Sequence, residues 1–146
     1  KVAFGVEPVS YKVQSADEAI DLTKHEEFFK QVQTKAPNCK KAFIALRNTL
    51  SANHHIFSGL LYADGKLRQA RTHAIDHVVD SVGAGDAFAA GMIYGLISYP
   101  GDDQSALEFA TAAAVLKNTI YGDFNLVSAD EVKTLMKSTG SENIAR

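Results

Sequence analysis

Hydrophobic and polar positions follow different periods along the first half of the chain. Apolar residues recur every three or four positions between residues 15 and about 35, which predicts an amphipathic helix. The apolar run at residues 41–47 is bounded by polar residues and predicts a buried strand. Residues 56–71 alternate around Asp64-Gly65, a pair typical of tight hairpin turns, and therefore predict two antiparallel strands.

The second half of the chain predicts one short strand, at residues 75–79, followed by three helices. These helices are predicted at residues of about 85–98, 104–118 and 129–137. Gly91 and Gly95 lie four residues apart on one face of the first of them, which allows a neighbouring backbone to approach closely. The order of elements predicts an α/β fold with few strands, in which helices cover one sheet.

Three Ser-x-x-Glu patterns predict helix starts. In such a capping box the serine side chain accepts a backbone N–H while the glutamate side chain reaches back to the serine. The three predicted boxes are Ser15/Glu18, Ser105/Glu108 and Ser128/Glu131.

Composition narrows the class of protein. The 146 residues are 46% hydrophobic and 22% charged, which is sufficient for one domain with its own core. A formal charge of -2 provides no basic field, so no nucleic-acid partner is expected. No apolar run reaches the ~18 residues of a membrane span, so no membrane partner is expected. The single cysteine, Cys39, lies in a polar turn and favours a reducing, cytoplasmic location rather than a nucleophile.

The histidines do not predict a metal site. His54 and His55 are adjacent, but no third ligand follows at convincing spacing, so a solvated loop is the preferred interpretation. His73 and His77 flank Ile75 and are interpreted as residues of the sheet surface. No residue of this chain is predicted as a metal ligand.

The stretch Asp80-Ser-Val-Gly-Ala-Gly-Asp86 is the strongest candidate for chemistry. Glycines allow a ligand to approach the backbone, and a helix that begins here directs free N–H groups and its positive dipole end at the turn. A carboxylate beside an anion site suits a base that takes a proton from an attacking hydroxyl. The alternative is a structural turn in which Asp86 caps the helix. The P-loop, dinucleotide and nucleophile-elbow patterns are all absent.

This stretch, continued to Gly91, resembles the C-terminal signature of the PfkB, or ribokinase-like, sugar kinases, with every fixed position filled. The resemblance implies a ribokinase-like fold, a three-layer α/β/α sandwich, and ATP as the phosphoryl donor with Mg²⁺ accompanying it. It implies that Asp86 is the catalytic base and contacts both nucleotide and sugar. It also implies that Gly83, Ala84 and Gly85 form the anion hole and part of the nucleotide site.

Two further segments, residues 46–62 and 119–132, resemble 2-keto-3-deoxygluconate kinases. That resemblance implies that Asp123 contacts the substrate and that Ser51 and Thr111 contact the nucleotide. From the residues alone, the preferred interpretation of Asp123 after Gly122 is a turn residue.

We therefore expect residues 1–146 to be the C-terminal portion of such a kinase, without its lid and N-terminal half. The expected reaction is ATP-dependent phosphorylation of a sugar or sugar acid, with 2-keto-3-deoxygluconate, phosphorylated on its 6-hydroxyl, as the first candidate. Another PfkB kinase, a fructokinase or ribokinase, and a non-catalytic nucleotide-binding module are the alternatives. The portion alone is expected to be inactive, and the resemblance leaves a homo-oligomer of the complete protein open.

Overall fold

The computed structural model describes residues 5–138, and the predicted domain, residues 1–146, extends beyond them at both ends. Within that range the chain forms four helices and four strands. In chain order they are α1 (Leu22–Lys35), β1 (Lys41–Thr49), β2 (His55–Ala63), β3 (Lys66–Gln69), β4 (His73–Ile75), α2 (Ala84–Ser98), α3 (Asp103–Lys117) and α4 (Ala129–Lys137). No helix of this part of the chain is long and apolar enough to cross a bilayer.

The four described strands form one antiparallel sheet around β2. Strand β1 pairs with one side of β2, while β3 and β4 pair with the other side at opposite ends of it. The predicted hairpin is confirmed, and its turn residues Asp64 and Gly65 both have positive φ, 53° and 71°. Every residue of β2 is buried, because β2 has strands on both sides and helices on both faces.

Two strand predictions are wrong in part. Strand β1 is an edge strand of the described sheet, and Leu46 alone among its residues is buried, so it is not the buried strand that its apolar run predicts. The strand predicted at residues 75–79 ends at Ile75. Beyond it the chain leaves the sheet, since the N–H groups of Val78 and Val79 donate to Asn53 and Asn118 outside the strand ladder.

Helices cover both faces of the sheet, so the described residues form an α/β/α arrangement. On one face α1 supplies Phe29, which stacks on Tyr62 with ring centroids 5.7 Å apart, and Leu46 and Leu60 complete this cluster. The opposite face of β2 packs against α2 and α3. Its cluster includes Phe57, Leu61, Phe88, Met92, Leu107 and Val115.

Helices α2 and α3 are in backbone contact, as the spacing of Gly91 and Gly95 predicts. A Cβ atom at Gly91 would lie 2.9 Å from the Cα of Ala110, and one at Gly95 would lie 2.8 Å from the Cα of Ala106. Real Cβ atoms do not come this close to backbone atoms, so any side chain here would push the helices apart. The contact fixes α2 against α3, and with it the loop from which α2 begins.

One of the three predicted capping boxes is correct. Ser128 and Glu131 form a complete reciprocal box at the start of α4. By contrast, α1 begins at an aspartate cap, Asp21, and α3 begins at Asp102, which accepts the N–H of Ser105. Asp and Asn compete with Ser for the cap position, and in both cases an aspartate upstream or downstream of the serine takes it.

The histidine predictions also need correction. His55 is not in a solvated loop: it opens β2, is 4% exposed, and burial, followed by the Arg47 charge, lowers its pKa. His54 does lie in the loop, 3.2 Å from the carboxylate of Asp76. His73 on β4 is half-buried, and burial, followed by the charge of Arg71, lowers its pKa to about 4. His77 is exposed but lies beyond the end of β4, in the loop and not on the sheet.

Candidate active site

Two loops meet at the end of the molecule where α2 begins. The first, residues 76–83, leads from β4 into α2, and the second, residues 118–128, leads from α3 into α4. The carbonyl oxygen of Asn118 accepts the N–H groups of Val79 (2.8 Å) and Asp80 (3.3 Å). The start of the second loop is therefore fixed to the first.

The Asp80 carboxylate links the same two loops a second time. One oxygen accepts the N–H of Val82 at 2.9 Å, and the other accepts the N–H of Gly122 at 3.0 Å. These two backbone hydrogen bonds, helped by the positive charge of Lys117, lower the pKa of Asp80. Asp80 is therefore a structural anion that shapes the turn after it.

Lys117 reinforces this junction from the interior. It is the last residue of α3 and 0% exposed, and its Nζ donates to the carbonyl oxygens of Asp80 (3.4 Å) and Ile120 (3.1 Å). The sequence analysis missed this residue. Its one signal was a charged side chain in the otherwise apolar, alanine-rich pattern of α3.

Gly83 is the N-cap residue of α2 and requires the absence of a side chain. Its φ is +76°, the left-handed region, and a Cβ atom there would collide with the backbone carbonyl of Asp123. No side chain of the described residues caps α2, whereas side chains of Asp21, Asp102 and Ser128 cap the other three helices. The N–H of Ala84 donates to the carbonyl of Ser81 at 3.3 Å, and the N–H groups that follow it in the first turn of α2 have no side-chain cap, an arrangement that suits an anion.

Ala84 and Gly85 differ in their surroundings. Ala84 is 2% exposed, and its N–H donates to the carbonyl of Ser81 at 3.3 Å, so this residue anchors the first turn of α2 in the interior. A Cβ atom at Gly85 would meet no heavy atom within 4 Å, and its φ is not in the left-handed region. Nothing within the described residues requires a glycine at this position, and the backbone of Gly85 lies open to solvent.

Asp86 stands in the first turn of α2 with an exposed side chain. Its carboxylate makes no hydrogen bond or ion pair with any residue between 5 and 138, so it does not cap its own helix in the way the structural alternative requires. The carboxylate of Asp86 is therefore exposed and unpaired within the described residues, beside a helix start without a side-chain cap.

Asp123 is brought to the same turn through its backbone. Its carbonyl packs directly on Gly83, and its side chain is exposed in the loop between α3 and α4. The structure thus places this predicted substrate residue beside the predicted anion hole, although the two are some forty positions apart in the sequence.

Ser51 lies in the turn between β1 and β2 and is connected through two hydrogen bonds to the loop that leads into α2. Its Oγ accepts the N–H of Asn53 at 3.3 Å, and the carbonyl of Asn53 accepts the N–H of Val78 at 2.9 Å. This turn therefore flanks the loop that leads to Asp80. The exposed position of Ser51 leaves its hydroxyl accessible to a ligand.

Thr111, predicted to contact the nucleotide, lies in the interior instead. It is 0% exposed, its hydroxyl donates to the carbonyl of Leu107 at 2.9 Å, and it faces Gly59 of the sheet. Its sequence position on α3 is central, where that helix is enclosed by α2 and β2, so the structure assigns Thr111 to packing and not to the site surface.

Known proteins resemble this chain over most of its length. A family model described as pfkB family carbohydrate kinase matches residues 14–128. A crystal structure of 2-dehydro-3-deoxygluconokinase from Thermotoga maritima superposes with a TM-score of 0.74 at 34% identity, covering 88% of this chain and 37% of that one. The crystal structure of a PfkB family carbohydrate kinase from Listeria grayi superposes with a TM-score of 0.72 at 31% identity. The superposition covers 84% of this chain and 36% of that one.

One curated relative matches a shorter segment. The 2-dehydro-3-deoxygalactonokinase of Haloferax volcanii is 38% identical over 60 residues, which are 40% of this chain and 18% of the relative. The chain thus spans little more than a third of the length of the solved structures it matches, and less of this relative.

Proposed function

Since the chain belongs to the pfkB family of carbohydrate kinases, we propose that it carries the catalytic base and the phosphoryl-binding turn of an enzyme that phosphorylates a sugar or sugar acid with ATP. One observation carries the proposal: α2 begins at an uncapped turn in which Gly85 opens onto free space and Asp86 has no partner among the described residues. Helix start, glycine and free carboxylate are the three parts that phosphoryl transfer to a hydroxyl needs.

In this proposal Asp86 takes the proton from the sugar hydroxyl as that oxygen attacks the γ-phosphorus of ATP. The bond between the γ-phosphorus and the bridging oxygen breaks, and ADP leaves. The backbone N–H groups at Gly83, Ala84 and Gly85 stabilise the negative charge on the transferring phosphoryl oxygens. Asp80 and its hydrogen bonds to Val82 and Gly122 keep that turn in place.

Mg²⁺ neutralises charge on the nucleotide phosphates when it is bound. The described residues bring together no group of three His, Cys, Asp or Glu side chains that could hold a metal by themselves. In this proposal Mg²⁺ would come with the nucleotide and would keep several waters. Ser51, on the turn that flanks the site, is the candidate contact to the nucleotide from this chain.

The substrate that we propose is 2-keto-3-deoxygluconate, phosphorylated on its 6-hydroxyl, with Asp123 as a contact. The name of the Thermotoga maritima enzyme supports it. A second candidate, the galactonate epimer, is favoured by the name of the Haloferax volcanii relative. Fructose and ribose are the further candidates within the family.

We also propose that residues 1–146 are the C-terminal portion of the kinase. Large apolar side chains that are exposed in this structure support this, because the remainder of a longer enzyme could cover them. They include Phe43 on the edge strand β1, Ile93 and Ile97 on α2, and Tyr121, Phe124 and Leu126 in the loop after α3. A cytoplasmic location and a homo-oligomer of the complete protein stay predictions.

The test is a coupled assay of ADP release with the complete reading frame that contains these residues. The substrates are 2-keto-3-deoxygluconate, 2-keto-3-deoxygalactonate, fructose and ribose, and the 146-residue chain is assayed in parallel. We expect turnover to be highest with a 2-keto-3-deoxy sugar acid and absent in the 146-residue chain. ATP binding without turnover of any sugar would favour the non-catalytic nucleotide module, and robust turnover by the 146-residue chain would refute the assignment as a portion.

A further inference from the structure

Lys117 is a buried cation at the junction of the two site loops. Its side chain is 0% exposed, and within the described residues no carboxylate lies in ion-pair distance of its Nζ. Removing an ammonium group from water is costly unless it is paired or hydrogen-bonded. Lys117 is nevertheless buried in this fold, and its burial therefore needs a physical explanation.

The position of Lys117 at the end of its helix does not by itself explain why its ammonium group is buried. A lysine in the last turn of α3 interacts favourably with the helix dipole, but an exposed lysine would do the same without burial. Lys41 shows the conventional arrangement in this protein. Its ammonium lies 2.6 Å from a carboxylate, that of Asp103, and remains partly exposed.

The acceptors of Lys117 reveal its role. Its Nζ donates to the carbonyl of Asp80, the first residue of the anion-binding stretch, and to that of Ile120, two residues before Gly122. An ammonium group has three donors, so it can bridge carbonyl oxygens that would otherwise repel each other. It thus joins from the inside the same two loops that the Asp80 carboxylate joins from the outside through Gly122.

The charge of Lys117 also acts across space. Its attraction is the smallest of the causes that lower the pKa of Asp80, after the hydrogen bonds from Val82 and Gly122. An anion at the uncapped start of α2 is therefore favoured by the helix dipole and by a fixed positive charge behind the turn.

We propose that Lys117 is a positioning residue: an internal cation that holds the loops of Asp80 and Ile120 together, so that the anion turn and Asp123 keep their relative places. The consequence for catalysis rests on the proposed kinase function, whereas the consequence for the loops does not. Lys117 does not touch the reacting atoms and acts through Asp80 and the turn.

The first experiment measures the loops directly. In the complete protein, Lys117→Met substitutes an unbranched, uncharged side chain that is one atom shorter. Lys41→Met makes the same change at a lysine that contacts Asp103, at the other end of α3. Hydrogen–deuterium exchange is followed in peptides that contain Val82 and Gly122. We expect exchange there to accelerate about tenfold or more in Lys117→Met and to stay within about twofold in Lys41→Met. Unchanged protection of these peptides in Lys117→Met would overturn the proposal.

The second experiment uses turnover and chemical rescue. We expect kcat to fall by about 10- to 100-fold in Lys117→Met and Lys117→Ala, as for a displaced turn, and Lys41→Met to keep wild-type kcat. Methylammonium should restore part of the kcat of Lys117→Ala, whose side-chain space is empty, but not that of Lys117→Met, whose space is filled. Tetramethylammonium at equal concentration is the control for salt. Equal responses of the two variants, or wild-type kcat in both, contradict the proposal.

Hydrogen–deuterium exchange and turnover together distinguish a failure of the proposed role of Lys117 from a failure of the proposed kinase function. If the wild-type protein shows no kinase turnover, the proposed function fails, and the exchange measurement still decides whether Lys117 holds the loops. If wild-type turnover is present and the exchange of the Val82 and Gly122 peptides does not respond to Lys117→Met, the function stands and the role of Lys117 falls.

Discussion

Replacing Gly85 by alanine separates the stability of α2 from the chemistry of its first turn. Gly85 is the second residue of α2, its φ is not in the left-handed region, and a methyl group there would meet no heavy atom within 4 Å. The substitution therefore introduces neither backbone strain nor a clash. Alanine is favoured over glycine in helices by about 0.5–1 kcal/mol, so the free energy of unfolding should rise by roughly that amount.

Gly83→Ala is the matched control, because it adds the same methyl group to the same turn but should lower the free energy of unfolding. At φ +76° a side chain costs about 1–2 kcal/mol, and the new Cβ would lie 3.0 Å from the carbonyl carbon of Asp123. For a domain of this size each kcal/mol changes Tm by about 2–4 °C. We therefore expect thermal unfolding to move up by about 1–4 °C in Gly85→Ala and down by at least about 2 °C in Gly83→Ala.

The activity of Gly85→Ala should nevertheless fall, because the open space at Gly85 is where the proposed phosphoryl group approaches the backbone. Loss of one such stabilising contact typically lowers kcat by about 10²-fold or more. The assays are thermal unfolding and coupled ADP release, both on the complete protein. A more stable Gly85→Ala enzyme with wild-type kcat would remove Gly85 from the phosphoryl site. A lower Tm would contradict the open surroundings of Gly85 on which the reasoning depends.

Three further predictions concern the base, the pH dependence and a helix cap. Asp86→Asn should lower kcat by about 10²- to 10⁴-fold while ATP binding by titration calorimetry is retained; unchanged kcat would exclude Asp86 as the base. Burial, followed by the charge of Arg71, lowers the pKa of His73 to about 4, so the unfolded chain binds its proton first. The free energy of unfolding, measured with urea, should therefore decrease by about 1–2 kcal/mol from pH 7 to pH 5. His73→Gln should reduce this decrease, and an equal decrease in the variant would refute the role of His73 in the pH dependence. Ser128→Ala removes the acceptor of the Glu131 N–H and should cost about 1 kcal/mol of unfolding free energy, whereas no change would show that the cap is replaced by water.

The sequence was informative wherever a local pattern had one structural solution. Asp64-Gly65 between alternating apolar residues admits a tight hairpin, and the structure has it. Gly91 and Gly95 required a close neighbour, which proved to be α3. The helix start directly after Gly83 was predictable from the glycines and the residues that follow them, and the structure has it. Its role as an anion site stays a prediction.

The predictions from sequence were wrong where contacts between residues distant in sequence determine the structure. Nothing near Ser15 shows that α1 begins at a later aspartate, Asp21. The burial of His55 depends on its pairing within the sheet and on Asn118, which is distant in sequence. Thr111 has the polarity of a ligand contact, but the enclosure of α3 by α2 and β2 turns its hydroxyl inward to Leu107.

Lys117 illustrates the same limit at the site itself. A charged residue at the end of a helix usually lies in solvent, so local sequence favours an exposed lysine. Its burial follows from two loops that fold over it, and these loops are joined by tertiary hydrogen bonds between Asp80 and Gly122. Such an arrangement is visible only after the whole chain has been placed.

The backbone contact between α2 and α3 limits how this protein can vary through evolution. Gly91 faces Ala110, and Gly95 faces Ala106, with no space for one additional methyl group in either pair. Because the nearest atoms in the way belong to the backbone of α3, a smaller facing residue would not make room for a side chain on α2. Related sequences that keep this approach of the two helices should therefore keep glycine at both positions, while Ala106 and Ala110 are free to become glycine but not larger.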